Sequence, residues 1–311
     1  MRKALIILTA LIALTSCTLE TVDKDYRVHF VSVACNYVGL EHINKLEGTL
    51  NDQRLFNEQL AFLGRQSGVT FTSEFLSQGS VDADTGRDDL LEEGAFRTSL
   101  STDGSVTRRS VDTGHFTEEL EAIIKEAASS LGEGDVLIFH YSGHGMDDGG
   151  QLALPDTDST EELKIQALEL ETLRAMLESV QCDRLVILDS CFSGNIIRDG
   201  DIDPRTDFIT ALSALFKPTG AQVSHTWISA AAHSTEEAFT VDGYAIPIGM
   251  HSQALLEALG YDFDAMRPAL PDDRLITMNG ILSAASSEHS PFSRQHSLES
   301  ETTRDLVLFQ I

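Results

Sequence analysis

Two short segments of the 311-residue chain carry the side chains best suited to chemistry: Tyr141-Ser142-Gly143-His144-Gly145 and Asp189-Ser190-Cys191-Phe192-Ser193-Gly194. A thiol is a weak nucleophile until it becomes a thiolate, and an imidazole is the commonest group to take its proton and return it to a leaving amine. His144 and Cys191 therefore suit nucleophilic acyl transfer, the chemistry of peptide-bond hydrolysis. Ser190 and Ser193 are weaker nucleophile candidates, because neither sits in a Gly-x-Ser-x-Gly elbow. The closely spaced ligand pairs of a structural zinc site are absent from the sequence.

For the pair to act, the fold must bring it together. Apolar runs predict strands over Arg27 to Cys35, Val69 to Leu76, Asp135 to Tyr141, Arg184 to Leu188, Thr226 to Ala232 and Asp305 to Phe309. Helical spacing predicts helices over Leu46 to Leu63, with Gly64 as the stop, and over Thr117 to Leu131, Ile165 to Val180, His251 to Leu259 and Ile276 to Ala285. Alternation of strand and helix implies an α/β fold, a parallel sheet with helices on both faces. In such a sheet catalytic groups gather beyond the carboxyl ends of the strands. His144 follows Tyr141 by three residues and Cys191 follows Leu188 by three, with one right-handed crossover between them. Residues 78–115 are polar apart from a hairpin signal at Thr102-Asp103-Gly104-Ser105 and read as an exposed insertion; 195–222 reads as a linker.

The formal charge of −27 argues against a nucleic-acid partner and suits a soluble surface or cationic substrates. Arg2 and Lys3 precede an apolar stretch from Ala4 to Leu14, too short to span a bilayer comfortably and typical of a secretory signal. The following Leu14-Thr15-Ser16-Cys17 resembles a bacterial lipobox, which implies diacylglycerol on Cys17 as the first mature residue and a lipid anchor in the cell envelope, joined by a linker at 18–26 to the rest. Of the other cysteines, Cys191 is the candidate nucleophile; a disulfide between Cys35 and Cys182 stays open, since the sequence does not establish that their backbones approach.

Cys191 follows His144 by 47 residues, close to the roughly 50 of the His-before-Cys order in caspases. The two motifs resemble those of caspase-like cysteine peptidases, and metacaspases more closely than true caspases, which carry Gln-Ala-Cys where this chain has Asp-Ser-Cys. Val31 to Tyr37, Leu46-Glu47-Gly48 with Asn51-Asp52, Trp227 to Ala232 and Asp305 to Phe309 extend the resemblance from Arg27 to Ile311. It implies a caspase-like three-layer sandwich with a mostly parallel six-stranded sheet. It makes Cys191 the nucleophile, His144 the general acid and base, and the amides of Gly145 and Cys191 the oxyanion hole, with no obligatory side chain to orient the imidazole. Preformed backbone donors stabilise charge that develops only on the tetrahedral intermediate.

The resemblance also assigns Asp52, Ser142 and Asp189 to an acidic pocket for arginine or lysine before the cut bond. Carboxylates suit a guanidinium or ammonium there and repel an acidic side chain. The plainer reading of Asp52 is a carboxylate favoured by the dipole of its helix. No cofactor is expected. Calcium, bound by some members of the family, is the one metal candidate; Asp147, Asp148, Asp156 and Asp158 offer oxygens without the spacing of a calcium loop. Arg108, Arg109, Arg198, Arg205 and Lys217 lie in linker-like segments, where self-cleavage is expected. The competing expectation is a catalytically silent caspase-like module that binds a protein partner.

Overall fold

The computed structural model describes residues 25–40, 43–79, 94–146, 151–157, 163–193, 224–231, 235–236, 240–241, 246–287, 298–299 and 305–311. The expected signal segment with Cys17, the 195–222 linker with Arg198, Arg205 and Lys217, and Asp147, Asp148 and Asp158 lie outside them. Among the described residues no helix is long and apolar enough to cross a membrane.

The first half of the chain runs β1 (Arg27–Cys35), α1 (Thr49–Ser67), β2 (Thr70–Gln78), β3 (Ala95–Leu100), β4 (Val106–Val111), α2 (Phe116–Ser130) and β5 (Val136–Met146). Then come β6 (Gln151–Thr157), β7 (Leu163–Glu169), α3 (Leu170–Glu178), β8 (Asp183–Ser193), β9 (Thr226–Ala230), β10 (Thr235–Glu236), β11 (Thr240–Val241) and β12 (Ile248–Gly249). The chain closes with α4 (Met250–Ala258), β13 (Leu275–Thr277), α5 (Met278–Ser287), β14 (Leu298–Glu299) and β15 (Val307–Gln310).

The main sheet runs β14-β9-β8-β5-β1-β2-β3-β4, and its five central strands are parallel. Those strands are apolar on both faces because side chains alternate between two cores. Val28, Phe30, Val136, Ile138, Leu185 and Ile187 face α1, α4 and α5. Val31, Val33, Leu137, Phe139, Val186 and Leu188 face α2 and α3. The expected α/β architecture with helices on both faces is therefore present.

Several details differ from expectation. Among the described residues the sheet has eleven strands rather than six, because β3, β4, β14 and the β6, β7 and β10 branches join it. The expected sixth strand, β15, pairs with β13 in a separate sheet. Ile165 to Val180 is not one helix: 163–169 forms β7 against β6, and only the remainder supports α3. Leu163, Ile165 and Ala167 alternate at the strand period of two, and the β6 ladder decides. Similarly, 275–277 becomes β13 ahead of α5. Helix α1 runs past Gly64 to Ser67 and is capped by Gly68 at φ 72°. Gly64 instead admits the strand that follows, since a Cβ there would stand 2.9 Å from Phe71 Cβ.

Residues 95–111 of the expected insertion form a hairpin zipped onto β2, with Arg108 and Arg109 paired into β4 rather than in a linker. Arg97 is buried there between Glu74, 2.9 Å away, and Glu126. Polar and charged residues are what an edge strand carries, so the segment shows no core pattern. Cys35 and Cys182 are both free and buried. Cys35 lies at the carboxyl end of β1, whereas Cys182 precedes Asp183, which is level with Val28 through β5. Seven residues of strand separate the two levels, roughly 23 Å, far beyond the ~7 Å limit for a disulfide.

Candidate active site

Strands β5 and β8 run side by side in register, so that Ser142 lies opposite Asp189, Gly143 opposite Ser190 and His144 opposite Cys191. Adjacent backbones in a sheet are about 4.8 Å apart. The fold thus places the two motif residues as neighbours at the carboxyl end of the sheet. Gly145, just beyond, pairs with Leu152 of β6.

The His144 ring is half-buried and packs on the Tyr37 ring, centroids 4.7 Å apart. Its Nε2 lies 2.8 Å from the Asn44 carbonyl oxygen. A carbonyl only accepts, so Nε2 carries the proton and Nδ1 of the neutral ring is left as the base. Burial lowers the His144 pKa, and the bond to Asn44 works against that shift. The imidazole is thus oriented by a backbone carbonyl. No sequence signal could have named Asn44, because every residue has a carbonyl.

One layer away, Asp52, Ser142 and Asp189 are buried, with exposures of 1%, 2% and 5%. Gly48, at φ 106°, lets the start of α1 sit on the backbone of Pro247 and Ile248, where a Cβ would find Ile248 N at 3.2 Å. That docking is fastened by Asn51 Nδ2 donating to the Pro247 carbonyl at 3.0 Å. Asp52 then accepts from Gly249 N at 2.9 Å and from Ser142 Oγ at 2.8 Å. Asp189 accepts from Ser252 N at 3.0 Å and Ser252 Oγ at 2.6 Å, at the start of α4. Burial pushes the Asp189 carboxyl up, and the two bonds from Ser252 oppose that.

Both carboxylates converge on Gly249: a Cβ there would collide with Asp189 Oδ2 and stand 3.0 Å from Asp52 Oδ2. The three residues expected to form an acidic pocket are thus brought together. Sequence reasoning missed Gly249 and Ser252, which reach Asp52 and Asp189 from 197 and 63 residues away. Asp156 lies on β6, and among the described residues no group of three or more His, Cys, Asp or Glu is placed to hold a metal ion.

The caspase domain matches residues 31–295. Among solved structures, caspase-1 from Spodoptera frugiperda aligns over 94% of this chain and 95% of its own with a TM-score of 0.54. At 13% identity that likeness establishes the shared fold and nothing finer. No curated protein matches the chain in sequence. The domain match covers most of the chain and includes both motif strands, β5 and β8, so the chain belongs to the caspase-domain family of cysteine peptidases.

Proposed function

We propose that the chain is a cysteine endopeptidase that hydrolyses peptide bonds after arginine or lysine through a His144 and Cys191 dyad. The observation that carries this reading is the convergence of Asp52 and Asp189 on Gly249, with Ser142 bonded to Asp52, beside the strand register that pairs His144 with Cys191. Two buried carboxylates favour a cation over a neutral or acidic side chain.

Nδ1 of neutral His144 takes the Cys191 proton, and the thiolate attacks the carbonyl of the residue whose basic side chain occupies the pocket. The oxyanion that forms is met by the amides of Gly145 and Cys191. The imidazolium gives its proton to the leaving amine, the carbon–nitrogen bond breaks, and a thioester remains. His144 then draws a proton from water as it attacks the thioester, which releases the acid and restores the thiol.

The Cys17 segment supports a protein tethered to the bacterial cell envelope by lipid, acting on polypeptides that carry Arg or Lys. Its self-cleavage is proposed at basic residues outside the hairpin, since Arg109 is engaged by Glu119 at 2.7 Å and Arg108 lies over the Phe96 ring. Purified protein and Cys191→Ala, incubated with peptides ending in Arg, Lys or Asp, test the reading. Turnover of Arg or Lys peptides by the first alone supports it; turnover of Asp peptides alone refutes the pocket, and turnover of none favours the silent module.

A further inference from the structure

We propose that Tyr37 and Tyr141 are positioning residues that clamp the two peptide groups of His144, one hydroxyl holding the general base and the other the oxyanion donor. This rests on the dyad reading above and goes beyond it. His144 N donates to Tyr37 Oη at 2.7 Å. Tyr141 Oη donates to the His144 carbonyl at 2.8 Å. The two hydroxyls are 3.0 Å apart and each lies 2.9 Å from the Ala153 carbonyl; Tyr37 Oη donates to that carbonyl, which leaves the single Tyr141 proton for the His144 carbonyl at the shorter distance.

The two bonds fall on different peptide planes. The first fixes the amide that leads into His144, while the Tyr37 ring packs on the imidazole. The second fixes the peptide between His144 and Gly145. Its carbonyl and the Gly145 N–H lie in one plane and point opposite ways, so holding the carbonyl on Tyr141 aims the Gly145 N–H away from the tyrosines and polarises it.

Two further features have no other evident purpose. Tyr37 adopts φ 58°, a left-handed conformation that bulky side chains rarely take, and Gln78 holds it there by accepting from Tyr37 N at 2.8 Å and donating to Val38 O at 3.1 Å. Gly143 has no room for a side chain, because a Cβ would stand 2.6 Å from both tyrosine hydroxyls. The middle residue of the histidine motif is thus a glycine so that the hydroxyls can reach the backbone.

The test compares Tyr37→Phe and Tyr141→Phe with Tyr26→Phe, whose buried hydroxyl donates to Leu308 O far from the site. Each protein is assayed for kcat and KM on an arginine peptide, and for the pH dependence of Cys191 alkylation by iodoacetamide, which needs no turnover. Tyr37→Phe is expected to lower kcat about ten-fold at nearly constant KM and to move the acid limb of alkylation up toward an ordinary thiol near 8.5. Tyr141→Phe is expected to lower kcat about ten-fold and leave the alkylation profile in place, since it acts on the oxyanion donor.

Wild-type kcat and alkylation in both variants overturn the clamp, as do equal losses in Tyr26→Phe. If Tyr37→Phe does not fold, Tyr141→Phe decides alone: unchanged turnover refutes the proposal. A failure of the dyad reading shows separately, as a wild-type Cys191 with the profile of an ordinary thiol, and the clamp then falls with it.

Discussion

Gly249→Ala adds one methyl to the point where the Asp52 and Asp189 carboxylates converge. The backbone there, φ −62° and ψ 138°, is open to alanine, so the perturbation is purely steric. The new Cβ would collide with Asp189 Oδ2 and meet Asp189 Cγ and Asp52 Oδ2 at 3.0 Å each. Ordinary contacts need roughly 3.5 to 4.0 Å, so Asp52 must withdraw by about 0.5 to 1 Å and Asp189 by more than about 1 Å. Asp189 cannot do so and keep both bonds to Ser252, nor Asp52 its bonds to Ser142 and Gly249. A hydrogen bond to a buried charge contributes ~1.5 to 3 kcal/mol, so losing one from the substrate-binding geometry lowers kcat/KM for Arg and Lys peptides roughly 10- to 100-fold. Alkylation of Cys191 by iodoacetamide, which does not use the pocket, is expected to match wild type. A variant that keeps Arg-peptide kcat/KM within two-fold refutes the placement of the basic side chain between these carboxylates.

Asp189→Asn should cost at least ~100-fold in kcat/KM on basic peptides while leaving the protein at pH 7 as stable or more so. The sign follows from burial raising the Asp189 pKa: the charged form is costlier in the folded than in the unfolded chain, so above the ordinary carboxylate range the charge opposes folding and the amide removes that penalty. A thermal melt well below wild type would contradict this. Burial lowers the pKa of His29 to about 4 and of His140 to about 3, so their contribution is whole above ~6.5 and lost as pH falls toward those values. Urea unfolding between pH 6 and 4 should show ~1.4 kcal/mol per pH unit from each, and His140→Phe should remove one such increment; an unchanged slope counts against it. Arg97→Met leaves Glu74 without its guanidinium and should destabilise by ~3 kcal/mol, whereas exposed Arg109→Ala should cost under ~1 kcal/mol; equal costs would contradict the assignment.

The apolar runs of β1, β5 and β8 were legible in the sequence because parallel strands buried on both faces read as unbroken apolar stretches. Their register then made His144 and Cys191 neighbours from motif position alone. Elements at the sheet's margins were not legible. The β3 and β4 hairpin is polar because it is an edge, and the 163–169 segment takes its form from β6. Partner choice for β15 depends on β13 and has no local signature. At the site, Asp52, Ser142 and Asp189 were named by motif, but Gly249 and Ser252, the groups that hold the two aspartates in place, come from a helix start remote in sequence. Asn44 acts through a carbonyl and Tyr37 through a hydroxyl brought in by a strained turn. Neither role is encoded by spacing.

The central claim is that His144 and Cys191 form a working dyad beside a pocket for a basic side chain. Its most direct measurement is the initial rate of purified wild type, Cys191→Ala and Asp52→Asn on matched fluorogenic peptides ending in Arg and Asp. The expected result is Arg-peptide turnover by wild type, none by Cys191→Ala, and a loss of at least ten-fold in kcat/KM in Asp52→Asn. Cleavage of the Arg peptide by Cys191→Ala at the wild-type rate, or of the Asp peptide in preference to it, would contradict the claim.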